Sequence, residues 1–240
     1  MSKYVILSLA ILLSAYTLGR AYTYKYRAED KVVVTGLGEQ TFESDLIVWN
    51  ATLTYETTNA ASGYEHLNRN RQIVSEFLNA KGVDAAEVTY SFVNVEKTYE
   101  SVYNPNGSWA GERFTGYRLR QDIRIESRAV ELIDRTSREI SALIAQGVSI
   151  EASAPQFYYT KLDDVKLDLI ETASANARRR AEKIAENAGT EIGAVASARM
   201  GVFQITGANT NEEFTAGGSF NTQSRTKKAR ITMRIEYRVN

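Results

Sequence analysis

The chain has no cysteine, one histidine and two prolines among 240 residues. Without cysteine there is no disulfide, no thiolate nucleophile and no thiolate metal site. Such a chain tolerates an oxidising compartment without requiring one. With His66 alone, no His–His metal pair forms within one chain. Net charge is lacking too. Twenty-nine basic side chains balance 29 acidic ones, so no global field draws the chain to nucleic acid. The apolar fraction of 43% is ordinary and supports a core of normal size. Fourteen tyrosines are many, and tyrosine suits half-buried strands and interfaces.

The longest hydrophobic run is short. Tyr4 to Gly19 follows Lys3 and carries no charge. As a helix it spans about 24 Å, less than a hydrocarbon core of ~30 Å. A basic start, a short apolar stretch and the small residues Gly19 and Ala21 match a signal peptide over residues 1–21. The alternative is an uncleaved membrane anchor. Lys3 and Arg20 would snorkel, and Tyr16, Tyr22, Tyr24 and Tyr26 would sit at the interface. Arg20, Lys25 and Arg27 outnumber Lys3, which disfavours that orientation. A third reading buries the segment as the first helix of a cytosolic domain. Residues 22–30 read as a linker, and 31–240 as one compact domain.

Periodicity predicts an α+β fold, with helices packed on a mostly antiparallel sheet. Lys31 to Thr35 reads as a short strand, Gly36-Leu37-Gly38 as a corner, and the alternation from Ile47 to Glu56 as a long second strand. Asn59 caps a helix to about Lys81, with Tyr64, Leu67, Val74, Phe77 and Leu78 on its apolar face. Strand-like residues 87–103 change apolar phase after Phe92, as a β-bulge would. Asn104-Pro105-Asn106-Gly107 turns the chain into a strand from about Phe114 to Glu126. Ser127 caps a helix ending at Gly147, and 148–159 is a third extended stretch. The longest helix runs from Asp163 to Ala188, with a stripe of Ile170, Ala173, Ala177, Ala181, Ile184 and Ala188. A strand follows over 192–205. Residues 206–225 have no regular pattern, and Ala229 to Val239 alternates cleanly. Lys81-Gly82-Val83 and Gln146-Gly147-Val148 form a weak internal repeat.

No catalytic, cofactor-binding or metal-ligating constellation is legible. Gly36-Leu37-Gly38 opens like a dinucleotide fingerprint, but no helix follows to hold a phosphate. His66 falls off its helix's apolar face. Glu43 with Asp45, and Asp163 with Asp164, read as solvated or helix-starting carboxylates. Arg178-Arg179-Arg180 reads as a solvated helix back, with Glu182 one turn from Arg178. Interaction is better represented. Arg118, Arg120 and Arg124 alternate with acids on one strand, and Arg230 and Arg234 do so on another. If the strands are neighbours, their charges pair across. The same faces, with Trp109 and the loop aromatics Phe214 and Phe220, are the candidate interaction surface.

The run VVVTGLGEQTFESDLIVWNATL resembles the opening of the SIMPL family, whose start carries a "V-x-G-x-G-E" turn and then an acidic residue. The matching positions are Val34, Gly36, Gly38, Glu39 and Asp45. The segment from Ala173 to Ala185 resembles the family's helix "A-x-x-x-A-R-x-x-A-E-x-x-A", and Ala188-Gly189 continues it. The resemblance covers residues 31–240 and departs from the pattern at Asn209 to Arg225. It implies an exported protein, periplasmic or tethered to the inner membrane by residues 4–19. Some members of the family assemble into ring-like oligomers and some are linked to oxidative-stress defence, and the resemblance brings no established catalytic residues to carry over. The expectation is a self-associating, non-enzymatic envelope protein, without cofactor or nucleic-acid partner, in contact with the membrane if the segment stays uncleaved. A small-ligand carrier or channel-like module, or an envelope hydrolase, are the alternatives.

Overall fold

The computed structural model describes residues 2–27 and 31–239, with side chains from residue 7 to 22 and from 31 onward. A helix, α1, covers Ser2–Arg27. Part of the hydrophobic run and most of the linker 22–30 therefore lie outside the described side chains. Among the described residues no helix is long and apolar enough to cross a membrane. From Lys31 onward the chain is α+β, with two antiparallel sheets that each carry helices.

Sheet A is built from the ends of the chain. β1 (Lys31–Glu43) pairs along its whole length with β10 (Thr226–Val239). β10 also pairs with β8 (Ile192–Met200) and β9 (Gln204–Gly207), so it is the central strand. The helix α4 (Leu162–Asn187) lies across one face. Sheet B occupies the middle of the chain. β2 (Leu46–Thr57) and β5 (Trp109–Ser127) form its centre. β3 (Val88–Tyr90) and β4 (Asn94–Tyr103) pair with β5. β6 (Ile150–Ala152) and β7 (Gln156–Tyr158) pair with β2. The helices α2 (Ala60–Ala80) and α3 (Val130–Glu139) pack on this sheet. Each sheet has its own apolar cluster: one around Trp49, Leu53, Leu67, Ile125 and Ile133, the other around Leu169, Ala173, Ala177, Ile205 and Ile231.

Gly36-Leu37-Gly38 is not a corner. It lies inside β1, which runs unbroken for 13 residues. Gly36 and Gly38 share the face that meets α4. A Cβ on Gly36 would collide with the Ala173 carbonyl and stand 2.6 Å from the Ala177 nitrogen, and one on Gly38 would collide with the Leu169 carbonyl. The glycines thus bring strand and helix into backbone contact, opposite Ala173, Ala177 and Ala181, all fully buried. Two side chains of α4 complete the joint. Asn176 accepts from the Leu37 N–H at 3.2 Å, and Arg180 donates to the Thr35 carbonyl at 2.9 Å. The real corner is Ser44-Asp45, between β1 and β2.

Other expectations shift for local reasons. Pro155 lacks an N–H, and the stretch 148–159 divides around it into β6 and β7. The phase change after Phe92 is a break between β3 and β4, while bulges come later, at Thr98/Tyr99 and Val102/Tyr103. The single strand expected over 192–205 is interrupted at 201–203. Ser127 accepts from the Ala129 N–H, but α3 starts from Ala129 without a side-chain cap, and it tightens into a 3₁₀ turn over Ile140–Gln146. The stripe of α4 is Val165, Leu169, Ala173, Ala177, Ala181 and Ala185, leaving Ile184 half exposed. On α2, Gly63 and Asn70 join the buried face with Leu67, Val74 and Leu78, while Tyr64 is half exposed.

Asn59 caps α2 as expected, accepting from Ala61 and Ser62. The repeat is structural as well. Gly82 and Gly147 both adopt the left-handed conformation, with φ of 86° and 84°. The next residues, Val83 and Val148, donate back to Leu78 and Leu143 and are buried. Both are glycine helix stops of the Schellman kind.

The strand–helix contact sets the first test. Gly36→Ala should destabilise the protein by about 2–4 kcal/mol, since backbone, not a flexible side chain, must move. Gly217→Ala, with open space around it, should change the urea midpoint little.

Candidate functional site

The two sheets meet at the Ser44-Asp45 corner. Asp45 accepts from the Thr160 N–H and hydroxyl, both at 2.7 Å, and so holds the chain entering α4. Ser44 donates from N–H and hydroxyl to the Arg225 carbonyl. The Arg225 guanidinium reaches Glu43 at the end of β1 and Glu131 on α3. That pairing lowers the Glu131 pKa and raises that of Arg225. Glu43 and Asp45 therefore have separate partners and are not an acid/base pair.

The polar loop 208–225 is pinned from beneath by Lys227. This side chain points to the α4 side of β10 and is 1% exposed. Its ammonium donates to the carbonyls of Asn221 at 2.5 Å and Ser224 at 2.8 Å. Burial pushes its pKa down to about 8, and the Glu212 carboxylate opposes the shift. Glu212 itself takes the Gly207 N–H and the Asn221 amide. Gln204 donates to the Thr215 carbonyl and accepts from the Ser219 N–H. Irregular in backbone, the loop is nonetheless tied at both ends. It bounds an open cleft of about 430 Å³ lined by Glu213, Phe220 and Thr222 among others.

β4 and the first half of β5 form a two-stranded arm. It joins the fold through β5 and exposes both faces over most of its length. The face that continues the core side of sheet B carries Lys97 opposite Tyr117, Tyr99 opposite Phe114 and Tyr103 opposite Trp109. Tyr99 packs edge-on against Phe114, and Phe114 against Tyr117. Even so, Tyr103 and Trp109 are 62% and 63% exposed. Trp109, expected in a loop, opens β5 instead.

The charged strands β5 and β10 lie in different sheets, so the expected pairing between them does not occur. Each pairs within its own sheet. Arg118 meets Glu56 at 2.7 Å, Arg120 meets Asp122 and Arg124 meets Glu126. Asp122 also accepts from Thr52, and its pKa falls through that bond and through Arg120. Arg230 pairs with Glu39 and lies over the Phe214 ring. Arg234 has no ion pair among the described residues. Phe220 bridges to Ile205, with its ring half exposed. Arg178 pairs with Glu182 at 2.9 Å, and Asp163 with Lys166. His66 stacks on Tyr55, 3.9 Å between centroids. No group of three or more His, Asp or Glu among the described residues is arranged to hold a metal.

Sequence reasoning missed two features. Lys227 shares the parity of Ala229 and Ile231, so a lysine on the buried face of the cleanest strand was a readable signal. The aromatic face of the arm depends on the bulge at Thr98/Tyr99, which no local pattern reports.

The fold is that of a two-sheet α+β protein, and its described surfaces include an aromatic arm and a charged sheet face. Residues 32–239 match the SIMPL family, described as a protein of unknown function (DUF541), and the chain belongs to that family. No curated protein matches the chain.

The buried lysine gives a pH dependence. Its folded pKa of about 8 lies below the ordinary 10.5, so above pH 8 the unfolded state binds more protons. The stability contribution of this group is absent below about pH 8 and rises towards pH 10.5. Chemical denaturation across that range should show the rise, and Lys227→Met should remove it.

Proposed function

We propose that this SIMPL protein is an exported cell-envelope component that self-associates and serves a scaffold or protective role rather than a catalytic one. The observation that carries the reading is the arm of β4 and β5. A two-stranded ribbon is marginal on its own, and this one presents Tyr99, Tyr103, Trp109 and Phe114 to solvent on one face. Exposed aromatics clustered on a projecting element are characteristic of interfaces. The hydrophobic α1 supports export, as residues 1–21 have the layout of a signal segment. A free periplasmic location and tethering to the inner membrane by residues 4–19 both accord with it. A small-ligand carrier would need an enclosed cavity. The gap between Trp49, Val74, Leu78 and Ile140 in the sheet B core is too small for a water molecule.

Sedimentation of the full chain in mild detergent should show concentration-dependent assembly. Tyr103→Ser with Trp109→Ser should weaken it at least 30-fold, about 2 kcal/mol or more for losing aromatic anchors, with circular dichroism unchanged. A wild-type protein that stays monomeric at every concentration would refute self-association. Fractionation with N-terminal sequencing tests the address: a mature start near Tyr22 means a free protein, and Met1 intact in the membrane fraction a tethered one. Intact Met1 in the cytosol would contradict export.

A further inference from the structure

Sheet A has one face under α4 and one that is largely bare. On β10 the buried residues alternate with Arg230, Arg234, Glu236 and Arg238 on the open side. Lys31 pairs there with Glu236, and Lys228 and Arg230 with Glu39. The side chains of Arg199, Arg234 and Arg238 make no ion pair or hydrogen bond among the described residues, and all three are exposed. Their placement is unfavourable within the fold. Arg234 stands directly opposite Arg199 of β8, and Arg238 directly opposite Lys31. Like charges facing one another across strands destabilise a sheet. These three arginines thus lack a counter-charge within the fold, on a chain whose total is neutral.

The position of this face matters as much as its charge. Lys31 is the first residue of β1, four residues after the end of α1 at Arg27. Four extended steps reach at most about 14 Å, so α1 ends close to the Lys31–Arg238 edge. The described apolar side chains of α1 are exposed throughout, among them Leu9, Leu12, Leu13 and Leu18. Arg20, Lys25 and Arg27 fall in its last turns.

We propose that the open face of sheet A docks on an anionic phospholipid bilayer, with Arg199, Arg234 and Arg238 facing the headgroup phosphates and α1 holding the adjacent edge to the membrane. The inference rests on the tethered form of the envelope reading above, in which α1 is retained. Guanidinium groups pair well with phosphate oxygens, and each basic side chain near an anionic surface contributes about fivefold in binding. Three together supply on the order of 100-fold. In this arrangement the opposed Arg199 and Arg234 are each balanced by lipid rather than by the protein.

The chain's lack of cysteine permits a single label. Thr35→Cys places a polarity-sensitive fluorophore on the open face, opposite Arg234. The full chain is titrated with vesicles of phosphatidylcholine alone or mixed with phosphatidylglycerol. The expected result is a blue shift with the mixed vesicles only. Its half-point should move on the order of 100-fold to higher lipid in the triple variant Arg199→Gln, Arg234→Gln, Arg238→Gln. Raised salt should reproduce that loss without any substitution in the face. Three results overturn the proposal: an equal shift with phosphatidylcholine alone, a shift indifferent to the three arginines, or none while the protein sediments with mixed vesicles. The last would mean that α1 or another surface, and not this face, carries the binding. None of them bears on export, which fractionation decides separately.

Discussion

Much of this structure depends on two backbones being allowed to touch. β1 carries glycine at positions 36 and 38, and α4 carries alanine at 173, 177 and 181. Removing side chains on both sides brings strand and helix closer than an ordinary layer separation. Little apolar area is buried per residue there, so the joint draws on close packing and on polar contacts made at short range. Asn176 and Arg180, one helical turn apart, reach the outward N–H and carbonyl of β1. They cap an edge strand that would otherwise offer unpaired groups to other chains.

That joint also explains the unequal character of the two halves. The sheet B core is filled with large side chains from β2, β5, α2 and α3, including Trp49, whose indole donates to Ser153. The sheet A core sets the alanines of α4 against larger side chains of the sheet, among them Ile205, Ile231, Ile235 and Tyr237. The halves are tied at Ser44-Asp45 by hydrogen bonds to Thr160 and Arg225 rather than by shared apolar area. Arg225 spans the junction, though it is partly exposed and its ion pairs are screened. The firmer tie there is that of Asp45, which accepts twice from Thr160.

The layout of strands and helices was legible because the periodicities are strong. The alternation of Ala229 to Val239, the cap at Asn59 and the glycine stops at 82 and 147 all mean locally what they mean in the fold. Gly36-Leu37-Gly38 was not legible in the same way. A pair of glycines two apart reads as a turn when only neighbours along the chain are considered. Its cause is Ala173 and Ala177, well over a hundred residues away. Arg118 and Arg230 show the same limit: their alternation identified solvent-facing strand sides, but which strands are neighbours is a long-range fact. The arm's aromatic face follows from a bulge, and a bulge is a property of two strands together.

Sheet A is assembled from both ends of the domain, with sheet B lying between them in sequence. Everything sheet B needs is present once residue 158 has been made. Sheet A must wait, because its central strand is the last of the described strands. Until β10 arrives, β1 and β8 have no partner between them, and the alanine stripe of α4 has only part of a surface to meet. The chain therefore has a built-in order of maturation, with a contiguous middle able to form early and an outer half closed by its final strand.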